Sequence, residues 1–182
     1  KDKNDKEKYI KEIFSKGHRN PQGLSQVDGI LFSTEHGPQG GDEINIVVSG
    51  NNYGWPVVSH GFEYGTEDKV SEHDSLPGFN DPEWVWIPSI APSGMDFYAV
   101  ASDEKMMFPG LQGSLLVGSL KFRRLYSISI NEDGLPESES ILIDGTLGRV
   151  RDVAVAKDGS ILILNDESSL SKPEGGLYRI FR

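Results

Sequence analysis

The sequence predicts an all-β protein, and three observations support that fold class. Glycine turns recur along the chain, each followed by four to six apolar or β-branched residues, a pattern typical of short strands. No stretch of 12 or more residues shows a convincing helical period. Residues 151–165 alternate apolar and polar positions, turn at Lys157-Asp158-Gly159 and continue as a second apolar strand, which indicates a β-hairpin.

The strand candidates follow one another along the chain. A half-apolar run at residues 9–14 is the first, and the others are residues 30–34, 114–120, 125–130, 141–145, 151–156, 160–165 and 177–181. Residues 61–88 interrupt the series with acids, Gly and Pro, which predicts a long surface loop. Short strands at this spacing suit a sandwich, a barrel or a β-propeller. The recurring hairpin-like units favour the propeller.

The length sets how much of a propeller the chain can form. A blade takes about 40–50 residues, so residues 1–182 would make three to four blades of one partial domain, too few to close a usual ring. Residues 1–8 are mostly charged and suit a solvated linker or a cut end inside a longer chain. They lack the apolar core of a secretion signal.

Composition excludes several classes of function. The formal net charge is −10, which argues against binding a nucleic-acid backbone or an anionic membrane, although solubility alone also explains it. The chain has no cysteine, so disulfides, thiolate catalysis and Cys-ligated metals are absent. No apolar run approaches the roughly 20 residues of a membrane span.

Two loops near the start carry residue types suited to chemistry. Arg19 precedes Asn20, and a loop Arg offers planar bidentate donors to a carboxylate or carbonyl, with a surface ion pair as the alternative. Residues 37–43 (GPQGGDE) combine turn-forming Gly and Pro with two acids. Outward carbonyls beside carboxylates suit calcium, although the spacing is not that of an EF-hand. A plain acidic turn is the alternative.

Further along, three cations follow or begin apolar strands. Lys121 directly follows the apolar run at residues 114–120. Its side chain either points into a central site or is solvated. Arg149 and Arg151 lie at positions i and i+2, hence on one face of a regular strand, where they would repel unless an anion lies between them. Asp152 would point to the other face. None of the four histidines has the spacing of a nucleophile–base pair or a His-x-x-x-His metal site.

Several of these segments occur together in an order that resembles one family. They are GHRNPQGL, EHGPQGGDEIN, NNYGWP, APSGMDFY, FPGLQGSLLVGSLK and GRVRDV. The chain resembles the soluble glucose/sorbosone dehydrogenases, which use pyrroloquinoline quinone (PQQ), over about residues 14–178. The resemblance implies the later half of a six-bladed β-propeller that works in the periplasm or outside the cell.

The resemblance also implies roles for individual residues. The expected PQQ contacts are Arg19, Asn20, Tyr64, Lys121, Arg149 and Arg151. Arg19 is also expected to stabilise charge on the quinone. The carbonyls of Gly37 and Pro38 match the ligands of an active-site calcium. Glu43 and the carbonyl of Tyr53 match a second, structural calcium site. The implied reaction oxidises an aldose at C1 to a lactone and passes electrons to an external acceptor.

One part of the family's machinery has no match here. The family's general base is a His, and it precedes the segments quoted above, as does a Gln that contacts PQQ. We therefore expect a cofactor and calcium half-site that needs the other half of the propeller, or a partner chain, for activity. The alternative is a non-enzymatic, calcium-stabilised propeller module that binds carbohydrate or protein.

Overall fold

The computed structural model describes residues 12–101, 107–166 and 175–182. The expected linker at residues 1–8 lies outside the described residues. Across the described part of the chain, the structure contains strands and one short 3₁₀ turn, Pro109–Leu111, and no helix that is long and apolar enough to cross a membrane. The prediction of an all-β fold is confirmed.

The strands form three antiparallel sheets, each made of consecutive strands. The first contains β1 (Pro21–Val27), β2 (Ile30–Glu35), β3 (Asp42–Ile46) and β4 (Trp84–Trp86). The second contains β5 (Pro92–Tyr98), β6 (Ser114–Ser119), β7 (Arg124–Ile130) and β8 (Pro136–Asp144). The third contains β9 (Arg149–Val155), β10 (Ile161–Asp166) and β11 (Gly176–Ile180). These sheets are the blades of a partial propeller.

The first strands of the sheets lie beside one another, β1 against β5 and β5 against β9. One apolar core fills the space between the first and second sheets and includes Phe32, Ile44, Leu115 and Val117. Another lies between the second and third sheets and includes Tyr98, Leu116, Val150, Ile161 and Ile163. Because β6 has a core on each face, all six of its residues are buried.

Two predicted turns are present with different geometries. Asp28 and Gly29 both have positive φ, 50° and 84°, and join β1 to β2 as a two-residue hairpin. The hairpin at Lys157-Asp158-Gly159 is confirmed, but only Gly159 (φ 79°) has positive φ there. An Asp-Gly pair in a two-residue hairpin turn takes positive φ at both positions, but this longer turn does not require it at Asp158.

Four strands were not predicted. β1, β3 and β5 contain Pro, Gly or acidic residues that resemble turns, and β4 falls inside the segment 61–88 that was expected to be a loop. β4 has only three residues, and it forms by pairing with β3. Conversely, residues 12–14 of the expected strand 9–14 form no strand, and residues 9–11 lie outside the described part.

Both outer faces of the sheet stack are partly apolar and exposed. Leu24 on β1 is 66% exposed, and Leu177 on β11 is 67% exposed. Along β10, Ile161 and Ile163 are buried in the core, whereas Leu164 on the other face is 46% exposed. The stack therefore ends on both sides in apolar surface of the kind that packs between its own sheets.

Candidate functional site

The predicted site residues lie at one end of the sheet stack. Register pairs Pro21 with Glu35, Pro92 with Ser119, and Arg149 with Asp166, so the first strands begin where the second strands end. Arg19 precedes β1, the Gly37 loop follows β2, Lys121 follows β6, and Arg149 begins β9. Antiparallel pairing thus brings residues more than a hundred positions apart to one edge.

Hydrogen bonds connect this edge from sheet to sheet. Thr34 Oγ1 donates to the Ser93 carbonyl (2.9 Å), and Ser93 Oγ donates to the Val150 carbonyl (2.7 Å). His36 Nε2 lies 2.6 Å from the Pro92 carbonyl. A Cβ on Gly118 would lie 2.7 Å from Val150, so the second and third sheets approach closely there. The loops of the site are therefore held on a continuous frame.

Arg19 is surrounded by groups that orient its guanidinium. Nη1 donates to the His36 carbonyl (3.0 Å), Nη2 lies 3.5 Å from the Tyr64 hydroxyl, and the Trp55 ring centroid lies 5.2 Å from Cζ. Nε is buried and has no hydrogen-bond partner. A buried unpaired donor is costly, so this N–H is available to an oxygen acceptor of a ligand. Tyr64 itself is 69% exposed.

Glu35 fixes the loop that carries Arg19. Its Oε1 accepts from His18 Nδ1 (2.5 Å), and its Oε2 accepts from the Arg19 backbone N–H (3.1 Å). His18 Nε2 also lies 2.8 Å from Ser15 Oγ, and its ring stacks on Tyr53 at 4.5 Å. The sequence analysis missed this Ser15–His18–Glu35 chain because Glu35 is 17 residues from His18.

Asp42 ties the Gly37 loop to the connection between the first two sheets. Its side chain is fully buried and accepts four hydrogen bonds. The donors are the Gly37 N–H (2.9 Å), Ser89 Oγ (2.6 Å), the Ile90 N–H (2.7 Å) and the Ala91 N–H (2.8 Å). Both oxygens of Asp42 are thus used structurally, and its role is to shape the loop.

The Gly37 loop is turned in on itself. A Cβ on Gly37 would lie 2.2 Å from the carbonyl oxygens of both Gly40 and Gly41, so only glycine fits there. Gly40 and Gly41 have φ of 84° and 68°. The carbonyl oxygens of Gly40 and Gly41 thus lie close to Gly37, and the expected outward orientation of the Gly37 and Pro38 carbonyls stays a prediction. Pro38 is buried beside Gly61.

A small cavity of about 20 Å³ lies beneath Arg19 and the Gly37 loop. It is also lined by Glu43 and Tyr53, so it joins four of the predicted site residues. That volume holds roughly one water molecule or ion. Pro38, Asn20 and Tyr64 do not line it. Asn20 is exposed, and its Oδ1 accepts from Gln22 Nε2 (2.9 Å).

Glu43 is the residue of this cavity with the most perturbed acidity. Burial raises the pKa of Glu43 from 4.5 to about 7; a hydrogen bond from Asn45 lowers it, and the nearby carboxylates of Glu35 and Asp42 raise it further. Burial likewise raises the pKa of the Tyr53 phenol, whose hydroxyl donates to the Ile46 carbonyl (2.6 Å). The cavity is therefore a place where added positive charge would be stabilised.

The third sheet places Arg149 and Arg151 around a carboxylate that the sequence analysis did not identify. Arg151 donates to Asp166 Oδ2 from Nε (2.6 Å) and from Nη2, and Arg149 Nε lies 3.8 Å from Asp166 Oδ1. Asp152 bonds its own strand, accepting from the Val153 N–H (2.9 Å). Asp166 is thus the anion that lies between the two arginines.

Lys121 remains at the surface beside the connection between the first and second sheets. It is exposed, its Nζ lies 5.4 Å from the Phe122 ring centroid, and its backbone N–H donates to the Ile90 carbonyl (3.2 Å). No ion pair of Lys121 is found among the described residues. Its ammonium group is therefore open to an anionic ligand.

Metal-binding side chains are sparse. Within residues 12–101, 107–166 and 175–182, no group of three or more His, Cys, Asp or Glu side chains is arranged to hold a metal ion. A cation bound here would need backbone carbonyls among its ligands, as the sequence analysis expected for calcium. Of the predicted calcium ligands, Gly37, Glu43 and Tyr53 line the cavity, and Pro38 does not.

Stacked antiparallel sheets of three or four strands, with polar loops gathered at one end, define a partial β-propeller with a candidate binding site at that end. A family model described as Glucose / Sorbosone dehydrogenase matches residues 2–178. The chain belongs to this family, as the sequence analysis predicted.

Individual relatives agree with this assignment. The aldose sugar dehydrogenase YliI of Escherichia coli K12 is 42% identical over 161 residues, which cover 87% of this chain and 42% of that protein. A crystal structure of a glucose dehydrogenase superposes with a TM-score of 0.82 at 34% identity, covering 94% of this chain and 47% of the other. The PQQ-bound aldose sugar dehydrogenase of Streptomyces coelicolor superposes at 0.68 and 26% identity, with coverages of 92% and 44%.

The coverages show that the chain spans less than half the length of these relatives. The structural agreement extends over nearly all of this chain and over a little under half of each relative.

Proposed function

We propose that this chain supplies the cofactor and calcium half-site of an enzyme that oxidises aldose sugars at C1 to lactones. The observation that carries the proposal is the gathering of Arg19, Lys121, Arg149 and Arg151 at one end of the sheet stack. Four cations from three separate segments of the chain suit a polyanionic cofactor better than a scaffold, because like charges at one edge repel unless an anion lies between them.

PQQ fits the residues at this edge. It carries three carboxylates, and Arg149 and Arg151 already hold the carboxylate of Asp166, which shows that their donors suit that group. The unpaired Nε of Arg19 offers a donor for a quinone oxygen. Bound PQQ would supply a two-electron acceptor for the hydride of the sugar C1. Asn20, Tyr64 and Lys121 would complete the contacts.

Calcium fits the small cavity in size and charge. Its volume accepts one ion, and burial raises the pKa of Glu43, so a cation beside this carboxylate would stabilise its ionised form. Glu43 and the Tyr53 carbonyl would hold a structural calcium. The carbonyls of Gly37 and Pro38 would hold an active-site calcium. In this arrangement Asp42 holds the loop in place and does not bind the metal.

The proton acceptor would come from outside this chain. His18 is bonded to Glu35 and Ser15 and stacked on Tyr53, so its ring is committed to the frame of the Arg19 loop. The exposed apolar faces at Leu24 and Leu177 offer surfaces on which further propeller sheets would pack. We therefore propose that the other half of the ring, or a partner chain, supplies the base.

Titration with PQQ tests the cofactor assignment directly. Arg149→Ala and Arg151→Ala should each weaken PQQ binding about tenfold or more, since each removes a charge-assisted contact to a carboxylate. Absorbance or fluorescence titration of the purified chain measures the Kd. Arg179→Ala is the matched control, because Arg179 pairs with partly exposed Asp158 at the opposite end of the third sheet. Unchanged titrations in both test variants would remove the cofactor assignment.

Thermal melting tests the calcium assignment. Chelation should lower the melting temperature, and added calcium should restore it, because a ligand of the native state stabilises by mass action. Glu43→Gln should make the melting temperature insensitive to both treatments. A wild-type melting curve that ignores chelator and calcium would rule out this site.

A non-enzymatic, calcium-stabilised module is the second candidate. The observation that favours it is Asp166, which pairs with both arginines without any cofactor. That reading predicts calcium-dependent melting without PQQ binding. The aldose, the external electron acceptor and a periplasmic or extracellular location remain predictions that rest on the family resemblance.

A further inference from the structure

Asp166 is the acidic group that the proposed function leaves unexplained. It ends β10 opposite Arg149, and its carboxylate lies between the two guanidiniums expected to bind a cofactor carboxylate. Its Oδ1 is buried and accepts no hydrogen bond. The carboxylate thus accepts hydrogen bonds through Oδ2 alone, and Oδ1 takes part only in an ion pair. About half of its hydrogen-bonding capacity is unused.

The two arginines contact Asp166 unequally. Arg151 donates to Oδ2 from both Nε and Nη2, which engages one edge of its guanidinium. Arg149 approaches Oδ1 only to 3.8 Å, which is an ion pair without a hydrogen bond. The donors of Arg149 therefore remain available, while one donor edge of Arg151 is occupied.

Local backbone geometry explains this asymmetry. The pairing of β9 with β10 shifts register between Leu164 and Asn165, so Val150 pairs with Asn165 while Asp152 pairs with Leu164. Arg151 is left unpaired at this bulge. A bulge changes the direction in which a side chain points. Here the guanidinium of Arg151 points to Asp166 and donates to its Oδ2.

The pair is exposed enough to exchange partners. The side chains of Arg151 and Asp166 are 44% and 34% exposed. Ion pairs at such exposure contribute little stability, because water and salt screen them. An incoming carboxylate can therefore replace Asp166 at low cost.

We propose that Asp166 is an internal competitor that occupies the carboxylate site of Arg151 until an anionic ligand displaces it. This inference rests on the proposed function, because it takes the ligand to be a polycarboxylate cofactor. In it, Arg149 makes the first contact with the ligand, and Arg151 follows by exchanging the carboxylate of Asp166 for that of the ligand. The net affinity is lower than the arginines alone would give.

The test is a PQQ titration of the full chain with Asp166→Asn and Asp166→Glu. Asp166→Asn removes the competing charge, so PQQ should bind about fivefold to tenfold more tightly. Asp166→Glu keeps the charge and should bind within about twofold of wild type. Asp144→Asn, which frees Arg124 of an exposed pair at the same end of the second sheet, measures the effect of losing one negative charge and releasing one arginine away from Asp166.

A double-mutant cycle identifies which arginine competes. Arg151→Ala should weaken binding more in the Asp166→Asn background than in the wild type, because Asp166 already occupies Arg151 in the wild type. Arg149→Ala should weaken binding by nearly the same factor in both backgrounds.

Each outcome is decisive. Tighter binding by Asp166→Asn, beyond the change in Asp144→Asn, supports the inference. Equal or weaker binding by Asp166→Asn, in a protein whose wild type binds PQQ, overturns the inference and leaves the proposed function standing. If neither wild type nor Asp166→Asn binds PQQ, both the proposed function and the inference are wrong.

Discussion

The Arg19 end of the first sheet and the Arg149 edge of the third sheet use carboxylates in different ways. At the Arg19 end, Glu35 and Asp42 are buried and accept several hydrogen bonds from backbone and side chains. At the Arg149 edge, one partly exposed carboxylate, Asp166, pairs with two partly exposed arginines. The first region has a fixed shape, whereas the second can exchange its anion.

The difference indicates how the two regions contribute to a binding site. Buried carboxylates with saturated hydrogen bonds set the positions of Arg19 and of the Gly37 loop before any ligand arrives. Exposed arginines contribute charge and selectivity for carboxylates, with little effect on the fold. Substitutions in the first region should therefore change stability, and substitutions in the second should change binding.

The largest expected effect comes from Asp42. Asp42→Ala leaves four donors without their acceptor, three of them from the connection at residues 89–91, and should destabilise the chain by about 3 kcal/mol or more. Asp166→Ala should stay within about 1 kcal/mol, because its ion pairs are exposed. Urea unfolding of both variants measures the contrast. Equal losses would contradict the proposed division between the two regions.

The next effect concerns pH and Glu43. Its folded pKa of about 7 lies above the ordinary value of 4.5, so the protonated form favours folding. That stability is fully present below pH 4.5 and is lost as pH rises through 7. Metal-free protein should thus be less stable at pH 8 than at pH 5, by roughly 2 kcal/mol through this group.

Comparison with Glu43→Gln isolates the contribution of Glu43 ionisation to the pH dependence of stability. The variant cannot ionise at that position, so the difference in unfolding free energy between it and the wild type should follow the titration of Glu43. Urea unfolding with chelator across this pH range provides the measurement. A difference that does not change with pH would show that Glu43 ionises freely in the folded chain.

The smallest effect is expected at Tyr64. Its hydroxyl lies 3.5 Å from Arg19 Nη2, and the residue is 69% exposed, so Tyr64→Phe should change stability by less than about 0.5 kcal/mol. If Tyr64 contacts PQQ as proposed, binding should weaken by a small factor while unfolding stays the same. A large loss of stability would show that Tyr64 belongs to the fixed frame of Arg19.

The sequence by itself determined the fold class and most of the strands. β6, β7, β9 and β10 have apolar patterns that no turn or helix would satisfy, and Gly turns separate them. The family segments also placed Arg19, the Gly37 loop and Arg149 in candidate roles, and the structure brings them to one end of the sheets. Local pattern and short-range turn chemistry are sufficient for these conclusions, because they depend on neighbouring residues.

Only the tertiary structure decided how the site is held together. β3 and β5 contain acids, Gly or Pro and become strands through pairing, β3 with β2 and β4, and β5 with β6. Asp42 finds its donors at Ser89, Ile90 and Ala91, and Asp166 reaches Arg149 and Arg151 through the register of β10. Buried polar groups must find partners wherever the folded chain provides them, and sequence spacing does not specify those partners.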